Sequence, residues 1–359
     1  MASSTVASST VNEAKLHEFV GKVVGDFGAA LSTVLTYIGQ KLGLYAALRD
    51  IGPATSEELA KRTGLSERYV REWLLNQATG GYVAYDPATG RYVLPPEQAV
   101  ALTDETSPFF VGGGFYVIKA MLRAEPRISE AFRTGGGMLW GEHDPDLFVG
   151  TERFFRPGYA THLTAEWIPA LTGVEEKLKA GGKIADVGCG HGASTIIMAK
   201  AYPQSKVWGF DSHQGSIEHA RQTADKAGVG ARVAFERVEA ARIPAGGYDL
   251  ICFFDCLHDM GQAAAACRRA YEALAPEGSV MIVEPMAGHS PEENFNPIGR
   301  TFSGASALCC TPNAIAQGGP ALGTLATDKA LGETVRAGGF TKFRRATQTP
   351  FNRIFEARR

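Results

Sequence analysis

Lys183-Ile184-Ala185-Asp186-Val187-Gly188-Cys189-Gly190-His191-Gly192 is the stretch whose reading decides the fold. Ile184 to Val187 form a short apolar run broken by one acid, the pattern of a buried parallel strand. Glycines follow at every second position, and Ala193 to Lys200 then open a helix. A strand-to-helix turn without Cβ atoms lets a ligand touch the backbone at the helix start. Asp186 stands two residues before Gly188, where a carboxylate can reach the same crevice. That geometry suits a nucleoside-bearing cofactor with a charged tail.

Two cofactor classes use such loops. Dinucleotide-binding turns read G-x-G-x-x-G, whereas this one reads G-x-G-x-G with alanine at 193. An acid ahead of this tighter spacing resembles motif I of the class I S-adenosylmethionine (SAM)-dependent methyltransferases. An ordinary βα turn or a dinucleotide oxidoreductase remain the alternatives at this point, and the downstream chain decides.

From Gly173 onward strands and helices alternate, which implies a doubly wound α/β sheet. The spacing predicts strands over Lys183–Val187, Lys206–Asp211, Arg232–Val238, Tyr248–Phe254 and Ser279–Glu284. It predicts helices over Ser194–Tyr202, Ser216–Ala227, Ala263–Leu274 and about Lys329–Ala337, the third stopped by Pro276-Glu277-Gly278. Lys342–Thr347 and Asn352–Ala357, separated by Pro350, read as a closing antiparallel hairpin. A dinucleotide fold has no such hairpin. Seven strands with a reversed last strand resemble the Rossmann-like methyltransferase sheet, and the resemblance covers about residues 180–359.

Ligands of open α/β sheets bind outside the carboxyl ends of the strands. The first of these strands ends in Gly188, Gly190 and Gly192, and the second in Asp211-Ser212, where a carboxylate can accept both ribose hydroxyls. The third runs into Val238-Glu239-Ala240, where the resemblance implies an acid or amide near the adenine amino group. The fourth ends in Phe254-Asp255, beside the expected amino-acid tail of SAM. With Asp186 these make up the expected cofactor site, and S-adenosylhomocysteine is the expected product.

Phe254-Asp255-Cys256-Leu257-His258-Asp259-Met260 resembles the His-Asp-Trp segment of plant-type small-molecule O-methyltransferases, which also carry an N-terminal winged-helix dimerisation domain. The resemblance implies that His258 is the general base for an acceptor hydroxyl, that Glu284 in Ile282-Val283-Glu284-Pro285 brackets it, and that Asp259 belongs to the same catalytic segment. A sulfonium methyl is already activated, so the protein need only align donor and acceptor and remove a proton. Met260 stands in place of the tryptophan, and no second bracketing acid is evident. Glu293 to Arg300 and Ala316 to Pro320 look more like a bacterial branch whose acceptors are mostly unassigned, so a phenolic substrate does not carry over. Methylation at sulfur or nitrogen of a small thiol, thioether or amine is the alternative; a thioether would need no base.

Working back toward the start, residues 106–172 read as a helical connector or lid rich in aromatics, broken by Gly112–Gly114 and Gly135–Gly137. Tyr116, Trp140, His143, Phe155, Tyr159 and His162 are its candidates for a substrate pocket. Residues 42–105 carry a winged helix-turn-helix pattern. Thr55-Ser56-Glu57-Glu58 is a capping box, Ser66 caps a second helix, and Asp86 to Gly90 turn a hairpin wing. Between Arg49 and Arg91 six basic residues meet six acids, too neutral for phosphate binding. Neither nucleic acid nor a SAM-sensing transcription regulator is therefore the favoured reading. Asn12 to Leu42 repeats apolar residues at helical spacing, interrupted by Gly21, Gly25, Gly28 and Gly39, and reads as one or two helices across a homodimer interface or within a core.

The chain has 359 residues, 45% hydrophobic and 21% charged, with a net charge of −2. Residues 1–11 are expected to be a disordered tail, 12–105 the N-terminal helices and winged helix, and 173–359 the SAM-binding domain. The uncharged apolar run Phe27–Gln40 is 14 residues, short of the roughly 18 of a membrane span, so no membrane partner is expected. The six cysteines lack metal-ligand or disulfide spacing. No metal and a reducing, cytoplasmic setting are the expectations.

Overall fold

The computed structural model describes residues 11–359, so the expectation for the first ten residues lies outside the described residues. The chain divides into two compact units, one through Asp104 and one from Glu105 to Arg359.

In the first unit a single helix, Glu13–Lys41, starts at Asn12, whose side chain accepts from Lys15 N at 3.0 Å. The glycines do not break it. Gly21, Gly25 and Gly28 face open space, while a Cβ on Gly39 would lie 2.6 Å from Trp73, so that glycine permits close packing. Most of the helix is exposed, and its apolar stripe runs through Leu16, Phe19, Val24, Phe27 and Leu31. The helix is long and apolar enough by length and composition to cross a membrane once a window with up to two charges is allowed, although its longest uncharged run is Phe27–Gln40. Asp26 and Lys41 bound that run, and Asp26 pairs with Lys22 at 2.9 Å.

Helices Leu44–Ile51, Ser56–Thr63 and Glu67–Thr79 follow, then the wing strands β1 (Ala84–Asp86) and β2 (Arg91–Val93). The Thr55/Glu58 capping box is closed in both directions, an arrangement of about 1 kcal/mol. Ser66 sits at the start of the second helix, but its hydroxyl makes no capping bond. Several charges of this unit pair internally. Arg71 pairs with Glu67 at 2.8 Å, Arg91 with Glu58 at 2.7 Å, and Arg68 with Glu72.

The second unit contains both the helical connector and the sheet. In the connector, Gly112–Gly114 start helix Gly112–Arg123 instead of interrupting one. A Cβ on Gly113 would meet Phe154 N at 2.5 Å, and one on Gly150 would meet Tyr116 Cβ at 2.7 Å. Small residues on both partners thus let this helix cross Asp146–His162 at close range. The sheet comprises β3 (Lys183–Val187), β4 (Lys206–Asp211), β5 (Val233–Arg237), β6 (Tyr248–Phe254), β7 (Leu274–Pro285), β8 (Lys342–Gln348) and β9 (Asn352–Arg358). Its order is β5-β4-β3-β6-β7-β9-β8. The first five strands are parallel, and β9 lies antiparallel between β7 and β8. Pro276-Glu277-Gly278 do more than stop a helix: they lie inside the extended β7, where its pairing with β6 slips. The inner strands are buried on both faces, as a parallel sheet covered by helices on each side requires.

Candidate active site

The carboxyl ends of β3, β4 and β6 open into a cavity of about 1020 Å³. Gly188, Gly190 and Gly192 all take positive φ, at 77°, 52° and 82°. A Cβ on Gly188 would sit 2.8 Å from Cys256 Sγ, and one on Gly192 would sit 2.9 Å from Ala220 and Phe235. Gly190 borders open space. Its amide donates to Asp211 Oδ2 at 2.9 Å, and His213 N donates to Asp211 Oδ1 at 2.8 Å. The loop and the β4 acid are therefore fixed together. Burial raises the Asp211 carboxyl, against the lowering effect of those two amides.

Of the sequence-predicted cofactor residues, Gly188, Gly190, Asp211, Ser212, Glu239, Ala240, Phe254 and Asp255 line the cavity. Asp186 and Gly192 lie outside its lining. Asp186 is fully buried and accepts from Ser194 and Thr195 at 2.6 Å each, tying β3 to the following helix. Burial lifts it to about 6 despite those bonds, and its Oδ1 has no hydrogen-bond partner.

Asp255 is the only non-glycine with positive φ among the described residues, at 48°. Tyr159 Oη donates to it at 2.8 Å, and Asn352 Nδ2 at 2.7 Å. Burial and then Glu284 push its carboxyl up to about 7. Asp259 also lines the cavity and is lifted by burial to about 7.

His258 is not on the cavity wall. It is buried, with Nδ1 2.6 Å from Glu284 Oε2. Its backbone amide also points to Glu284, at 3.2 Å. Burial pulls the imidazole down, but the Glu284 carboxylate and the Cys310 thiol hold it well above its ordinary value. The structure thus brings His258 and Glu284 together behind the wall, with Asp259 on it.

Trp140, Phe155 and Tyr159 line the cavity; Tyr116, His143 and His162 do not. Tyr116 stacks under the Arg153 guanidinium, 4.8 Å from its centroid. His162 is bonded to Glu166 at 3.0 Å, and His143 is buried with neither ring nitrogen partnered. Several wall residues escaped the sequence reading. Phe148 stacks on His213 at 4.5 Å, and His191 stacks on His219 at 4.0 Å. His191, inside the glycine loop, was visible as a polar residue at a ligand-facing position, whereas Asn313 and Gln317 carry no local signal. Burial and the neighbouring histidines lower His191 to about 4, so it is neutral at physiological pH.

Residues 29–104 match the Rv2258c-like winged HTH domain, and residues 178–322 match a methyltransferase domain. The chain is 29% identical to 27-O-demethylrifamycin SV methyltransferase of Amycolatopsis mediterranei, over 45% of this chain and 58% of that protein. It is 32% identical to acetylserotonin O-methyltransferase of Mus musculus, over 65% of each. The chain thus spans 58% and 65% of the lengths of these relatives. Human N-acetylserotonin methyltransferase, solved with SAM, superposes with a TM-score of 0.71 at 18% identity, over 99% of both chains. The mitomycin 7-O-methyltransferase superposes with a TM-score of 0.73 at 17% identity, over 97% of this chain and all of that one. At such identities the superpositions establish the fold. The chain thus joins an Rv2258c-like winged HTH domain to a methyltransferase domain.

Proposed function

We propose that the protein transfers the methyl group of SAM to a small-molecule acceptor, at a hydroxyl oxygen in the leading reading. The observation that carries this is the glycine loop locked to Asp211 and opening into one large cavity at the strand ends. Gly190 leaves the backbone bare where a cofactor must approach, so the residues fit a nucleoside with a charged tail. In this reading Asp211 and Ser212 hold the ribose, Glu239 and Ala240 border the adenine, and Asp255 with Phe254 border the amino-acid tail. Bound SAM supplies an electrophilic methyl. The chain supplies alignment and a place for the acceptor's proton. Calorimetric titration with SAM and S-adenosylhomocysteine tests this directly, and absence of binding to both overturns it.

His258 is the proposed general base, backed by Glu284, which fixes the ring and raises its basicity. Base catalysis requires the second ring nitrogen to turn from Cys310 toward the acceptor. A positioning role is the second reading, favoured by the absence of His258 from the cavity wall. His258→Gln separates them. As a base its loss lowers kcat by about 10²–10⁴-fold, while a positioning residue replaced by an amide keeps most activity. A sulfur or nitrogen acceptor is the other outcome of an acceptor screen.

The proposal includes a homodimer formed through helix Glu13–Lys41 and the winged-helix unit, whose exposed apolar stripe needs a partner. The internally paired charges of that unit support dimerisation over nucleic-acid binding. A cytoplasmic setting completes it, and recovery of the protein in washed membranes would overturn that part.

A further inference from the structure

The charge distribution around the cavity is lopsided. Arg237 and Arg242 are the only lysines or arginines in its lining, and both serve other groups. Arg237 donates to Ser212 O at 3.0 Å, and Arg242 pairs with Glu239 at 3.3 Å. Both stand where the proposed function puts the nucleoside. No lysine or arginine lines the opposite end, between β6 and the connector helix.

That end is walled by carboxylates and aromatic faces. Asp255 has its two donors, Tyr159 and Asn352. Asp259 is different, because no hydrogen-bond donor reaches its side chain among the described residues. The nearby Asn313 is turned to other partners: its oxygen accepts from Trp140 N, and its nitrogen donates to the Asp259 backbone carbonyl, each at 2.9 Å. Glu152 adds a third acid, paired with Arg156 at 2.7 Å. Phe155 and Tyr159 stack 5.9 Å apart beside these groups. The Asp259 carboxylate is partly exposed to the cavity, so a donor on a bound ligand can reach it.

We infer that the acceptor is an aromatic molecule without negative charge, and that a cationic amine on it is preferred because Asp259 receives it. With Asp255 committed to the cofactor's ammonium and the His258 imidazole committed to Glu284 behind the wall, an acceptor carrying a carboxylate or phosphate would meet Asp259 with no lysine or arginine in the lining to offset it. The assignment rests on the methyltransferase reading, and it excludes acidic acceptors that the reading alone permits.

Three phenols of one size but different charge test it: tyramine, tyrosol and 4-hydroxyphenylacetate. Each is titrated calorimetrically into full-length protein saturated with S-adenosylhomocysteine, at about pH 8.5, where Asp259, lifted to about 7, is ionised. The expected result is that tyramine binds at least tenfold more tightly than 4-hydroxyphenylacetate, with tyrosol between them. Asp259→Asn is expected to shrink the tyramine advantage over tyrosol below about threefold; if that variant does not fold, the wild-type series decides alone. Equal or tighter binding of the carboxylate, or no binding of any phenol, overturns the assignment. A first titration with S-adenosylhomocysteine alone distinguishes this from failure of the cofactor reading, which would overturn both.

Discussion

Asn352 donates its side-chain amide to the carboxylate of Asp255 at 2.7 Å, joining the start of β9 to the end of β6 across 97 positions of sequence. The bond favours the ionised form of a group that burial and Glu284 hold at about 7. If ionised Asp255 receives the cofactor's ammonium, SAM affinity rises as pH increases through about 7. Asn352→Leu removes a bond that lowers the Asp255 pKa, so the rise should move to higher pH. Calorimetric titration of S-adenosylhomocysteine from about pH 6 to 9 reads the shift, and an unmoved curve removes Asp255 from the cofactor site.

The His258–Glu284 pair predicts a second pH effect. A general base acts in its neutral form, and the imidazole is held well above its ordinary value. Turnover should therefore keep rising with pH well beyond the usual histidine range, provided SAM is saturating. Glu284→Gln should bring the acid limb of kcat down toward about 6.5. A profile identical in both proteins argues for a positioning role.

Glu284→Ala leaves a buried imidazole without its carboxylate. Breaking such a pair by removing one partner costs about 3–5 kcal/mol. Urea unfolding should show the loss, which a merely surface pair would not produce.

Gly190 tests the loop without disturbing the core. Its φ is 52° and a Cβ there would meet nothing within 4 Å. Gly190→Val should cost roughly 1–3 kcal/mol of backbone strain and weaken S-adenosylhomocysteine binding at least tenfold, because the added atoms enter the ligand's space. Retained affinity would place the cofactor elsewhere.

Phe27 and Leu31 stand 63% and 68% exposed on the N-terminal helix. Phe27→Asp combined with Leu31→Asp should convert a dimer to a monomer in sedimentation velocity. A wild-type protein already monomeric at micromolar concentration defeats the dimer proposal.

The inner sheet was legible because β3, β4, β6 and β7 repeat a local code: apolar runs closed by glycine, proline or an acid. The cofactor end was legible for the same reason, since Gly188, Gly190, Asp211 and Asp255 each lie within a few residues of a strand terminus. The acceptor end was not. Asn313 and Phe148 reach the cavity from helices, and Gln317 from the turn after one, at positions where the local sequence says nothing of a ligand. Tyr116, His143 and His162 stand off the cavity lining for a related reason, because composition selects an aromatic segment but packing decides which side chains face inward. His258 shows the limit differently: its position in the motif was readable, but its burial between Glu284 and Cys310 depends on a helix some fifty residues later. The Lys22–Asp26 pair in the first helix likewise interrupts the apolar count but lets the charges satisfy each other.

The placement of β9 between β7 and β8 bears on how the molecule is made. Until Asn352 to Arg358 have left the ribosome, β7 presents an unpaired edge carrying Met281 and Val283, a template for pairing with another nascent chain. The same segment brings Asn352 to Asp255, so the ligand cavity and the sheet are completed by a single late event. A chaperone that shields strand edges should therefore raise the yield of active protein, and pulse-labelled chains ending before residue 352 should aggregate.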